Sequence, residues 1–411
     1  TSTKFVIPRK HWRGRKTFHY CQNCGRVIGV PKKEPSACPV CNASDLDDIF
    51  TIIDRKLPTL WKFVEAMRVK EGPYGRYRGY ADDPRPYRIV ASDQAMSLNH
   101  IMRYAGYTPP WTQKQLEEWI DTILLDLNPE TGLIEDSFEI AEKGRTDEIM
   151  FNQYCVSRGL ASVFAKAGFS HKYHLPEQAM EERDCLADER HALAFLNDQE
   201  NPADFFDAYT WETSPYSKGS QVTWAIRRHE ALLQKKRLPD DGVVESVHQW
   251  LDQKQNPHTG YWGGEKASMN DQVCGAFKIL VAYQDHDWKI NYLDRMVDTT
   301  ISISTPQGDF GDNGFGCTVF DALLVFKIAQ QQIPDYRAED IYETTARTYL
   351  NFINHWSDEE HFFAPEPMPG ARAEMVGMHG LATPMYMAEI LLGVRCFPLK
   401  NTRLQMRIGD D

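Results

Sequence analysis

The sequence predicts a mainly α fold, an (α/α)6 toroid of helical hairpins that follows a small cysteine-bearing ribbon. Three observations predict it. A helix–loop–helix pattern recurs six times from about residue 57, an Asn-Pro-x-Thr-Gly turn occurs twice within it, and two C-x-x-C pairs lie near the start. The resulting boundaries are 1–56 for the ribbon with a basic arm, 57–395 for the toroid and 396–411 for a C-terminal tail.

The ribbon comes first in the chain. In HYCQNCGRVIGVPKKEPSACPVCNASDL, the pair Cys21 and Cys24 is separated by 13 residues from the pair Cys38 and Cys41. Each pair is followed by a turn-forming residue, Gly25 or Asn42, which lets both sulfurs face one ion. Four thiolates complete a closed tetrahedral zinc site with no position left for water, so the expected Zn2+ is structural. Metal binding offsets the small core that roughly 40 residues can bury. The string DLDD at Asp45 to Asp48 resembles the aspartate motif of class II terpene cyclases, but it falls where the ribbon's final strand should run.

Composition narrows the class. A chain with 42% hydrophobic and 25% charged residues is ordinary for a soluble globular protein. No apolar run reaches the roughly 18 residues of a membrane helix. The first residues lack the apolar core of a secretory signal, although one removed upstream stays open. The net charge of −12 divides unevenly: residues 1–43 carry nine Lys/Arg against Glu34, or +8, which leaves −20 on the remainder. The basic arm suits docking on the acidic body, or simple solvation, better than nucleic-acid binding. Outside the ribbon, Cys155, Cys185, Cys274, Cys317 and Cys396 are odd in number and unpaired in pattern, so free thiols and a cytoplasmic location are expected.

The repeats carry the body. The clearest hairpin reads VVESVHQWLDQKQ, turns at NPHTGYWGG and resumes at NDQVCGAFKILVAYQ. An earlier copy reads QLEEWIDTILLDL, NPETGLIED and FNQYCVSRGLASVFAKAG. In each, an amphipathic outer helix precedes a more apolar inner one. Asn-Pro ends the first helix because a residue before proline avoids the α region, and the glycine permits a positive φ. Looser copies begin near Leu57, Glu189, Tyr292 and Tyr342. An open solenoid is the structural rival.

This pattern resembles the toroids of terpenoid cyclases and protein prenyltransferase β subunits. It is also similar to the (α/α)6 barrels of glycoside hydrolases, polysaccharide lyases and sugar epimerases. The resemblance covers residues 57–395 at the level of fold and implies a cavity lined by the starts of the inner helices. That rule selects Asp93, Asp147, Glu148, Asn152, Tyr154, Tyr216, Lys218, Asp271, Asp312, Asn313, Glu374 and His379. Asp93, Asp147 and Asp271 also suit helix N-caps. Tyr74, Tyr77, Tyr80, Trp211, Trp262 and Phe310 supply aromatic rings that either stack on sugars or close the core.

A hydrolase needs paired carboxylates, expected from Asp147 or Glu148 with Asp271 or Asp312. A lyase would use Tyr216 or His379 as base, with Arg76 and Arg78 neutralising a sugar carboxylate. The leading expectation is therefore an enzyme acting on an oligosaccharide or other small molecule in the toroid cavity. Two alternatives stay open. One is an isoprenoid cyclase or transferase, for which Asp271 and Cys274 with His379 resemble the prenyltransferase zinc pattern offset by one residue. The other is a non-catalytic binding toroid whose ribbon recruits partners. No P-loop, dinucleotide fingerprint or H-E-x-x-H motif is present. Oligomeric state is not legible.

Overall fold

The computed structural model describes the backbone at residues 16–21, 27–31 and 46–48. It then describes 59–85, 87–104, 111–175, scattered positions between 215 and 240, 242–306, 308–310, 317–357 and most of 359–364. Among these residues the protein is mainly helical, with little sheet.

Near the N-terminus, strands β1 (Lys16–Cys21), β2 (Val27–Pro31) and β3 (Leu46–Asp48) form an antiparallel sheet in the order β2-β1-β3. His19 pairs with Ile28 on one side and with Asp48 on the other. The Asp-rich string after the last cysteine pair thus runs as a strand, and Cys21 ends β1 opposite Leu46. Cys24, Cys38 and Cys41 lie outside the described residues.

The chain divides into two compact units. The first comprises Thr1–Ala179, Asn313–Phe315 and Thr345–Asp411; the second comprises Met180–Asp312 and Gly316–Thr344. In the first, α1 (Leu60–Met67) and α2 (Ile89–Tyr104) make one hairpin. Helices α3 (Gln113–Ile123) and α5 (Asp147–Lys166) make the next, with the short α4 (Ser137–Lys143) inserted between them. Helix α1 buries one stripe, Leu60, Phe63, Val64 and Met67, at the spacing of a helix face. Thr112 caps α3 through a reciprocal box with Gln115. The two inner helices, α2 and α5, pack against each other.

The second unit repeats the plan. Helix α6 (Val243–Lys254) buries four of its twelve residues, whereas α7 (Met269–Asp285) buries eleven of seventeen. That contrast separates an outer amphipathic helix from an inner one covered on nearly all sides. Helix α8 (Leu293–Ile303) is again amphipathic, while α9 (Cys317–Gln332) is buried without a break from Thr318 to Ala329. Successive inner helices are neighbours here too. Phe277 of α7 meets Phe320 of α9 at 5.3 Å between ring centroids. On the other side of α7, a Cβ at Gly219 would lie 2.5 Å from the Gly275 carbonyl oxygen. Thr223 donates to the Lys278 carbonyl at 2.7 Å. Only glycines at such positions let two backbones approach this closely.

The two Asn-Pro-x-Thr-Gly turns adopt the same structure. Gly132 and Gly260 have φ of 67° and 77°. Each donates its N–H to the carbonyl of the turn asparagine, Asn128 or Asn256, at 2.7 Å. Each asparagine side chain accepts from the backbone two residues on, from Glu130 at 2.9 Å and His258 at 2.8 Å. The internal repeat seen in the sequence is therefore a repeat of hydrogen bonds.

Helix α10 (Ala338–Asn354) is followed by a small antiparallel pair, β4 (Trp356–Ser357) and β5 (Phe362–Phe363). His355 closes it, accepting from the Ala364 N–H at 2.7 Å through its carbonyl.

Candidate functional site

Asp93 is the most unusual polar group of the first unit. It is the fifth residue of α2, so it cannot cap that helix, and it is 8% exposed. Its Oδ1 has no hydrogen-bond partner among the described residues, and Oδ2 meets only a long 3.4 Å contact from Gln94. Opposite it on α5 stands Gly159, where a Cβ would lie 3.8 Å from both carboxylate oxygens. Burial without a compensating charge pushes the Asp93 carboxyl up to about 7. A carboxylic acid that keeps its proton near neutrality is the state a general acid requires.

Other buried carboxylates of this unit are satisfied. Asp83 meets Arg88 at 2.7 Å. Glu135 accepts from Asn128 at 3.0 Å, from Thr131 at 2.8 Å and from Arg145 at 2.6 Å. Burial raises Glu135, but those hydrogen bonds outweigh it and hold the carboxyl below its ordinary value.

The other sequence-selected residues separate into several groups. Asp147 and Glu148 open α5, but the N-cap is Thr146, whose side chain accepts from Ile149. Asp147 lies twelve residues before Gly159, about 18 Å along the helix. That separation exceeds the roughly 5–9.5 Å of a glycosidase carboxylate pair, so neither Asp147 nor Glu148 matches Asp93 in level. Asp271 is exposed in the first turn of α7, where Ser268 is the cap and donates its hydroxyl to the Asp271 carboxylate at 2.7 Å. The N-caps expected at Asp93, Asp147 and Asp271 are therefore corrected: a threonine and a serine cap α5 and α7. Cys274 is buried with its sulfur 3.7 Å from the Thr318 hydroxyl.

The aromatic group is largely core. Tyr77 is 0% exposed and stacks on Trp119 at 4.6 Å. Trp262 is 0% exposed and donates its indole N–H to Leu251 at 2.8 Å; Phe310 is buried. Tyr74 is half-buried and donates to Glu65, which also receives the Trp111 indole N–H at 2.6 Å. Arg76 covers the Tyr87 ring at 4.4 Å. Arg78 makes no ion pair among the described residues. Tyr216, Trp211, Asp312, Asn313, Glu374 and His379 lie outside the described residues, as do three of the four ribbon cysteines.

The second unit holds a pocket of about 430 Å³ that the sequence did not reveal. Its polar lining comes from Glu230, Gln234, Arg237, Asp240 and Glu245, with His286; its apolar lining comes from Leu233, Val244 and Trp288. These residues come from described positions between 230 and 240, the start of α6 and the segment after α7.

His286 is fixed at both ring nitrogens. Nδ1 faces the Ala282 carbonyl at 2.8 Å and Nε2 faces Glu230 at 2.7 Å. Both partners are acceptors, and which ring nitrogen donates depends on the tautomer. It stacks on Trp288 at 4.4 Å, and His248 stacks on Trp288 at 3.9 Å. Tyr283 meets both His248 and Trp288 edge-on and donates to Asp252 at 2.6 Å.

Among the described residues, no group of three or more His, Cys, Asp or Glu side chains is placed to hold a metal ion, and no helix is long and apolar enough to cross a membrane. No family model matches the chain, and neither the curated proteins nor the solved structures contain a match to it.

Proposed function

We propose that this protein is an enzyme acting on a carbohydrate, of glycoside hydrolase or polysaccharide lyase type, with Asp93 as its proton-donating group. The observation that carries the reading is the Asp93 carboxyl, buried between two inner helices, with no partner for one oxygen among the described residues and pushed up to about 7. Cleaving a glycosidic bond requires a proton for the leaving oxygen, and a neutral acid in a desolvated position supplies it. Glycine at 159 keeps the space beside that carboxyl clear of a side chain.

Three features support the ring architecture behind it. Inner helices α7 and α9 are buried on most sides, inner helices within each unit are neighbours, and the two Asn-Pro-x-Thr-Gly turns share the same hydrogen bonds. Six such hairpins close into an (α/α)6 toroid with the inner helices around its axis. The three-stranded sheet fits a zinc ribbon: the first cysteine pair falls at the β1–β2 connection, and β3 follows the second pair. Cys21, Cys24, Cys38 and Cys41 would hold a structural zinc and take no part in catalysis.

Purified full-length protein incubated with neutral and uronic-acid polysaccharides tests the reading. Release of reducing ends, or of ultraviolet-absorbing unsaturated products, is expected from the wild type. Asp93→Asn should lower it by about 10²–10⁴-fold, the usual contribution of a general acid. Product formation that Asp93→Asn leaves unchanged would remove Asp93 from the mechanism.

A further inference from the structure

The pocket of the second unit has a lining suited to a particular ligand chemistry. Carboxylates of Glu230, Asp240 and Glu245 accept hydrogen bonds, while Arg237 and Gln234 donate them. Arg237 is exposed in that lining. A purely anionic ligand would face three carboxylates and a purely cationic one would face Arg237. A polyhydroxyl ligand satisfies both, because each hydroxyl donates one hydrogen bond and accepts others. Leu233, Val244 and Trp288 add apolar surface for the C–H faces of such a molecule. The volume of about 430 Å³ falls in the roughly 300–1,000 Å³ range of small-molecule sites.

We propose that this pocket is a second saccharide site, which binds a mono- or disaccharide unit through Glu230 and Arg237, apart from the Asp93 centre. Glu230 is held ready for it. One carboxylate oxygen is anchored by His286, and the His286 ring is itself fixed by the Ala282 carbonyl and by stacking on Trp288. A carboxylate oriented before the ligand arrives loses less freedom on binding. The choice of a saccharide rests on the carbohydrate reading of the enzyme; the pocket and its mixed donor–acceptor lining do not.

Isothermal titration of the full chain with cellobiose, maltose, diacetylchitobiose and digalacturonate tests the proposal. At least one of the four is expected to bind the wild type, and binding should persist in Asp93→Asn. Glu230→Gln and Arg237→Ala should each weaken it by tenfold or more. Arg237 is exposed, so its variant keeps the test valid even where Glu230→Gln disturbs folding. No binding by any of the four, or equal binding by the folded Arg237→Ala chain, would overturn the proposal. Polysaccharide turnover without pocket binding would overturn this site alone, whereas pocket binding without turnover of any polysaccharide would overturn the enzyme reading and leave the site.

Discussion

Gly159 of α5 stands directly against the Asp93 carboxyl of α2, close enough that a methyl group there would sit 3.8 Å from both carboxylate oxygens. The acid is thus enclosed by helices that supply neither a countercharge nor, for Oδ1, a described hydrogen bond. Burying such a group costs stability once it ionises, which is tolerable where function needs the acid.

A stability prediction follows with a definite sign. The folded value of Asp93 lies near 7, above the ordinary 3.8. Its favourable contribution is complete only below about 3.8 and is lost as the pH rises toward 7. Asp93→Asn should therefore stabilise the protein at pH 8 by up to about 4 kcal/mol, with the gain vanishing near pH 3.5. Urea unfolding across that range checks it; a variant less stable than wild type at pH 8 would contradict it.

Glu135 behaves in the opposite way. Its folded value is depressed below the ordinary 4.5, so its contribution is present above that pH and is lost as the pH falls through the lower folded value. Glu135→Gln should cost about 1–3 kcal/mol at pH 7, because Arg145, Asn128 and Thr131 lose a charged acceptor. Denaturation at pH 7 and pH 3 should show the cost shrinking in acid.

The repeated turn predicts a steric effect. A Cβ at Gly260 would fall 2.3 Å from the Met296 nitrogen, on a residue whose φ is 77°. Gly260→Ala should cost about 3 kcal/mol or more, since left-handed backbone and a backbone clash add. Thermal unfolding reads this out, and a loss below 1 kcal/mol would show that α8 yields.

The ribbon predicts a bound metal. One zinc per chain is expected by atomic absorption, and Cys38→Ser or Cys41→Ser should lower that content. Helical circular dichroism of the body should remain, since the thiolates hold only the ribbon. Full zinc content in both variants would place the ion elsewhere.

How much was legible in the sequence follows from how local each feature is. The hairpins and the Asn-Pro-x-Thr-Gly turns depend on spacing and on residues within a few positions, so periodicity and proline chemistry locate them. The caps were misplaced because Asp147 and Asp271 lie in the first helical turn, beside the threonine and serine that do the capping. Asp93 was visible as a candidate, but its enclosure depends on Gly159, 66 positions away in the chain. The Glu230, Arg237 and His286 pocket was invisible because three separate segments build it and no short motif marks it. The aromatic rings Tyr77 and Trp262 carry the same letters whether they meet a ligand or pack against Trp119 and Tyr283, and only packing decides.

The protonation of Asp93 itself tests the central claim most directly. Carbon-13 labelling of aspartate side chains in the full-length protein, with Asp93→Asn to assign the resonance, gives its titration midpoint. A midpoint near 7, matched by a limb of the pH–rate profile, is the predicted result. A midpoint near 4 would mean that the carboxyl is solvated and ionised at neutral pH, and would contradict its role as the acid.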